Sequence, residues 1–163
     1  MAGSNVGIFG GRLRAVVCAV GWDECGYSYA WSLESSGGRL DKIEHRWGSF
    51  IGKCSVVEAE LCGIATGLDL AWIMGYRCLI VESDSADALR LLQRGLPKSG
   101  LFTILCYLHQ LCGKDWILAF SKVDRRNNGV ADRLAKLASA ATFDVVTFDE
   151  PPSEVVLDVG GTL

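Results

Sequence analysis

Four acidic residues, Asp23, Glu60, Asp84 and Asp132, fall at element ends or on a helix flank of this 163-residue sequence. Carboxylates drawn together repel one another unless a cation lies between them, so such a set is a candidate divalent-metal site. Hard Mg²⁺ suits oxygen donors and phosphate. Each residue also has a plainer reading. Asp84, followed by Ser85, can cap the next helix, and Asp132 can complement a helix dipole. Asp23 is a turn former, and an isolated Glu60 beside an apolar stripe is ordinarily half-exposed. Glu58 reads as a capping partner and Glu82 as an outward strand residue. Between Lys122 and Lys136, five Lys or Arg (122, 125, 126, 133, 136) face two Asp (124, 132). That local excess of positive charge suits phosphate, and a solvated helix end accounts for it equally well.

The elements that must position these groups follow from pattern. Three β-leaning stretches, Arg12–Trp22, Gly26–Glu34 and Arg39–Trp47, are separated by turn-type residues and read as an antiparallel meander. Ser55-Val-Val-Glu58 is a capping box, and Val57, Leu61, Ile64, Leu68 and Trp72 continue at helical spacing to about Met74, where Gly75 ends the helix. Arg77–Val81 is a short apolar run after a helix, which favours a buried parallel strand, and Asp84 follows where that strand ends. Sites in open α/β sheets gather at the carboxyl ends of parallel strands, so Asp84 is the best placed of the four. Helices over Ala86–Arg94 and Leu101–Leu111 precede a last strand at Trp116–Phe120. A final helix carries Val130, Leu134, Leu137, Ala138 and Ala141 on one face. The order is β-β-β-α-β-α-α-β-α, one domain over 12–141, with an N-terminal segment 1–11 and an acidic, Pro- and Gly-containing tail over 142–163 that is expected to be mobile.

Gly52-Lys-Cys-Ser-Val-Val-Glu-Ala-Glu60-Leu, Glu82-Ser-Asp84-Ser and Arg125-Arg-Asn-Asn128-Gly-Val-Ala-Asp132-Arg-Leu-Ala-Lys136 stand in that order on helix, strand and helix. In these phrases the chain resembles the ribonuclease H superfamily, type 1, in the retroelement-related, reverse-transcriptase-like branch abundant in plant genomes. The resemblance runs from about Gly52 to Ala138, and Pro151-Pro152 with Asp158-Val-Gly-Gly is similar to the tail of many members. It implies a three-layer α/β/α fold with a five-stranded mixed sheet. It also implies Mg²⁺-dependent hydrolysis of the RNA strand of an RNA–DNA hybrid, with Mn²⁺ as a substitute. Carried over by motif, Glu60, Asp84 and Asp132 are the metal ligands and catalytic residues. In that chemistry one ion lowers the pKa of the attacking water and a second stabilises the leaving oxygen. Lys122, Arg125, Arg126 and Asn128 are the nucleic-acid contacts, with Asn128 also able to cap the last helix. A hybrid is chosen by shape and 2′-OH contacts rather than by base edges.

The sequence departs from the family in two places. The first-strand carboxylate belongs in an Asp-Gly pair about forty residues before the helix Glu, and that count lands near Gly21, where there is none; Asp23, two residues on, is the substitute in reach. In a second register Gly7–Arg14 is the family's glycine-containing second strand, the catalytic strand precedes Met1, and Val16–Ser36 is an insertion. Where the family often has His before the last helix, this chain has Lys122, whose ordinary pKa near ~10.4 makes it a poor proton shuttle. The alternatives are therefore an active hybrid endonuclease, a catalytically impaired nucleic-acid-binding domain, and a protein-interaction domain of the same fold.

Composition sets the outer limits. Half the residues are apolar and 21% are charged, which suits a packed core rather than disorder. A net charge of −3 excludes a protein held on nucleic acid by bulk charge, so any polyanion contact is local. Mean hydropathy of +0.25 leaves apolar surface for a protein contact. Seven cysteines without a C-x-x-C pair imply neither zinc nor a disulfide framework, and free thiols in a reducing compartment are expected. With no basic leader and no apolar run of about 20 residues, the expectation is an intracellular monomer of nucleus or cytoplasm, away from membranes and with no evident protein partner.

Overall fold

The capping box forms as the sequence dictates. In the computed structural model Ser55 caps α1 (Val56–Ile73), its hydroxyl accepting from Glu58 N–H at 3.2 Å while the Glu58 carboxylate accepts from Ser55 N–H at 3.5 Å. Residues 13–17, 21–23, 26–35, 43–94, 101–127 and 146–147 are described, with side chains over 52–94 and 101–126. Gly52, at φ +79°, turns the chain out of a strand toward α1, and Gly75, at φ +90°, turns it out of α1; in each place a side chain would strain the backbone.

Among the described residues seven strands form one sheet: β1 (Leu13–Val17), β2 (Gly21–Asp23), β3 (Gly26–Ser35), β4 (Ile43–Gly52), β5 (Cys78–Ser83), β6 (Ile117–Lys122) and β7 (Val146–Thr147). Their order is β6-β5-β1-β3-β4-β7, with β2 paired to β3. β1 lies between antiparallel β3 and parallel β5, and β6 runs parallel on the outer side of β5. The first expected strand is thus two, β1 and β2. The third is displaced toward the helix, because its register with β3, from Tyr27↔Gly52 to Glu34↔Ile43, is set by the partner strand. Part of the expected mobile tail, β7, pairs with β4 opposite Trp47 and Gly48.

α2 (Ala86–Arg94) and α3 (Phe102–Cys112) join α1 on one face of the sheet. Leu61, Ile64, Leu68, Leu79, Leu105, Leu108 and Leu111 are fully buried there, with Val81 among them and Leu118 and Phe120 packed alongside. Alternation puts Leu79 and Val81 on the same side as their parallel neighbours Leu118 and Phe120, which fixes that face as the helix-covered one. The last expected helix, over 129–141, lies outside the described residues. Among the described residues no helix is long and apolar enough to cross a membrane, and Cys54, Cys62, Cys78, Cys106 and Cys112 are free.

Candidate active site

β1, β5 and β6 all end at the same end of the sheet. β4, antiparallel to β3 as β1 is, also delivers the chain there, so α1 starts where β5 stops. That topology brings the first turns of α1, the β5–α2 junction and the loop after β6 to one edge. Glu60 lies in α1 with only 3% of its surface exposed, more deeply than a half-exposed flank residue. Asp84 follows β5, its side chain also 3% exposed.

The helix cap beside Asp84 belongs to its neighbour. Ser85 Oγ accepts from Ala88 N–H at 3.3 Å, the bond that an N-cap makes to the third helical residue, and Ser83 Oγ accepts from Ser85 N–H at 3.1 Å. Asp84 is thereby released from the capping role, and its carboxylate Oδ2 accepts from Arg125 Nε at 3.2 Å. The contact arises because β6 continues its ladder past Ser83↔Lys122, Val123 N–H donating to the Ser83 carbonyl at 3.0 Å. The following turn, η1 (Arg125–Asn127), is braced by Asp124 Oδ1, which accepts from Arg126 N–H at 2.9 Å. Lys122, at the end of β6, and Arg125 and Arg126, in the turn after it, are exposed. The sequence singled out all three cations for phosphate. The Asp84–Arg125 contact escaped it, since that contact spans 41 positions and depends on the β5–β6 register.

Asp23 is held elsewhere. It pairs with Gly26 at the β2–β3 hairpin, whereas the level of Glu82 on the sheet is that of Val16 and Ser32. From Ser32 to Gly26 is six residues, roughly 20 Å at ~3.3 Å each, and Asp84 is two residues past Glu82, so Asp23 lies roughly 13 Å further along the strand direction. The described backbone does not bring it beside Asp84. β1, the strand that flanks β5, reads Leu-Arg-Ala-Val-Val and carries no acid. Asp132 and Asn128 lie outside the described residues. Glu60 and Asp84, two buried oxygen donors at one edge, are of the chemistry a divalent cation requires. Among the described residues, no group of three His, Cys, Asp or Glu side chains gathers to hold one.

Comparison with known proteins agrees with this architecture. The family described as "Reverse transcriptase-like" matches residues 28–138, beginning inside β3, so that β1 and β2 precede the match. A protein of Arabidopsis thaliana that bears the name of ribonuclease H is 34% identical over 125 residues, covering 74% of this chain; the chain spans 20% of that protein's length. Among solved structures, ribonuclease H1 of the archaeon Halobacterium salinarum superposes with a TM-score of 0.66 at 23% identity, over 78% of this chain and 97% of that one. The N-terminal ribonuclease H domain of a Mycobacterium tuberculosis protein gives 0.67 at 23% identity, over 79% and 95%. A further ribonuclease H1, LC11, solved in complex with an RNA/DNA hybrid, gives 0.64 at 16% identity, over 78% and 96%. A buried Glu on the first long helix, a buried Asp after the central parallel strand and a family match across both are three agreeing findings, and by them the chain belongs to the plant reverse-transcriptase-like branch of the ribonuclease H superfamily.

Proposed function

We propose that this domain engages RNA–DNA hybrids and hydrolyses the RNA strand with Mg²⁺, Mn²⁺ serving as a substitute. The observation that carries the reading is the burial of the Glu60 and Asp84 carboxylates at the edge where parallel β5 and β6 end, in a ribonuclease H-like fold. Glu60 and Asp84, together with Asp132 by the family motif, would hold the ion, whose chemistry is to activate water and stabilise the departing oxygen. Lys122, Arg125 and Arg126 bind and orient the phosphate backbone. An intracellular location, nuclear or cytoplasmic, and a monomeric state belong to the same reading.

A second reading, hybrid binding without turnover, is favoured by one specific observation: β1 offers no carboxylate beside β5. Cleavage of a labelled hybrid in Mg²⁺ separates the two. If the first reading holds, the wild type cleaves, and Asp84→Asn and Glu60→Gln each lose about 100-fold or more, as befits removal of a group acting on transition-state charge. A wild type that retains the hybrid and cleaves nothing establishes the second reading; one that binds no hybrid sinks both.

A further inference from the structure

The carboxylate on which the proposed chemistry most depends is already engaged by a cation of the chain itself. Arg125 Nε donates to Asp84 Oδ2 at 3.2 Å, and the two partners differ sharply in exposure: the Asp84 side chain is 3% exposed and that of Arg125 86%. A guanidinium carries five N–H donors in a fixed plane, so an arginine gripped at Nε has its two terminal amino groups left over from that bond. Here the gripped edge faces a buried anion and the rest of the side chain faces solvent. A planar fork held in this way is suited to take a phosphate through paired N–H bonds. The surroundings favour the same ligand. Lys122, at the end of β6, and Arg126, in the turn after it, are exposed, and the carboxylate between them, Asp124, is turned onto the Arg126 backbone N–H. The ladder bond from Val123 N–H to the Ser83 carbonyl fixes the loop against the strand that carries Asp84.

We propose that Asp84 and Arg125 form a metal-independent phosphate site, in which Asp84 is a positioning residue that holds the guanidinium so its outer edge takes a backbone phosphate of a nucleic-acid duplex. The inference rests on the reading of the chain as a hybrid-binding domain and gives Asp84 a role that needs no ion. It makes a prediction of unexpected sign. Removing a carboxylate beside a polyanion ordinarily strengthens binding, because a repulsion disappears. If Asp84 positions Arg125, Asp84→Asn weakens binding instead.

The test is the affinity of the whole chain for a labelled RNA–DNA hybrid in EDTA, measured by fluorescence anisotropy at several salt concentrations, with thermal melts confirming that each variant folds. Arg125→Ala is expected to lose about tenfold, and the slope of log affinity against log salt to become shallower by about 0.7–0.9, one phosphate contact. Asp84→Asn is expected to lose about threefold with the same shallower slope, although it removes a negative charge. Asp84→Glu recovers part of the loss, Arg125→Lys does not restore the fork, and the double variant Asp84→Asn/Arg125→Ala binds as Arg125→Ala alone. Arg125→Gln, which keeps a polar side chain, reads the same contact should the alanine variant fail to fold. Arg90→Gln, removing a cation paired with Asp87 at 3.4 Å on α2, leaves affinity unchanged. Tighter binding by Asp84→Asn, or losses that add in the double variant, overturns the proposal while a preference for hybrid leaves the functional reading standing. Equal binding of hybrid, RNA duplex and DNA duplex with the variant pattern intact overturns the hybrid reading and leaves the phosphate site standing. A wild type that binds no nucleic acid overturns both.

Discussion

Tyr107 shows how one side chain can tie two helices and give the tie a pH dependence. Its hydroxyl donates to Asp69 Oδ2 at 2.5 Å, joining α3 to α1. That bond first, then partial burial and the Asp69 charge, hold the phenol above its ordinary value. A raised folded-state pKa means that the stabilisation is complete below the ordinary tyrosine value of about 10 and is lost as pH rises through the folded value. Tyr107→Phe should therefore lower stability at pH 7 by less than about 1 kcal/mol, the pair being largely exposed, and the difference from wild type should fade above about pH 10. Urea melts at pH 7, 9 and 11 read it; a constant difference across that range refutes the account. At this scale the sequence was legible where chemistry is local. Asp84 stood out because it follows a buried strand, and Ser55 and Glu58 because they stand three positions apart. What Asp84 touches was not legible, since Arg125 reaches it only through the pairing of two strands remote in sequence.

An element is held at its ends as much as along its buried face, and α2 depends on Ser85. The Ser85 hydroxyl satisfies Ala88 N–H, and the Ser85 carbonyl accepts from Leu89 N–H at 3.2 Å. Ser85→Ala should cost about 1 kcal/mol by loss of the cap, seen as a lower denaturation midpoint with an unchanged m-value; no loss would mean that another group caps α2. The opposite end of α1 is closed by a side chain from the next strand's approach. Arg77 Nη1 donates to the carbonyls of Trp72 and Tyr76 at 3.0 and 2.8 Å, while its guanidinium lies 3.6 Å from the Trp72 ring centre. Lys114 approaches the same ring at 4.8 Å, and Trp116 meets it edge-on at 5.2 Å. Helix limits were readable because caps and glycines act within a few residues: α2 falls where the sequence put it and α1 ends at Ile73 beside Gly75. Strand limits were less so. β4 takes its bounds from β3, and β7 exists because β4 has an edge to pair, a fact that the composition of the tail does not contain.

Across the whole molecule, charge sets the terms on which a polyanion can be held. The chain carries −3 at neutral pH, so its overall field opposes approach to a duplex, and any affinity must come from cations gathered at one edge. The exposed cations at the end of β6 and in the turn after it are Lys122, Arg125 and Arg126. If each neutralises one phosphate, the slope of log affinity against log salt should lie between about −2 and −3, far shallower than for a protein that binds by a broad basic surface. Replacing all three by alanine should flatten the slope to near zero and abolish binding at moderate salt. A slope much steeper than −3, or one that survives the triple substitution, would locate the phosphate contacts elsewhere. Because the Arabidopsis relative is about five times as long as the matched span, the same titration on a longer protein containing this domain would show whether other segments add contacts. A slope common to both would assign the binding to the edge where β5 and β6 end.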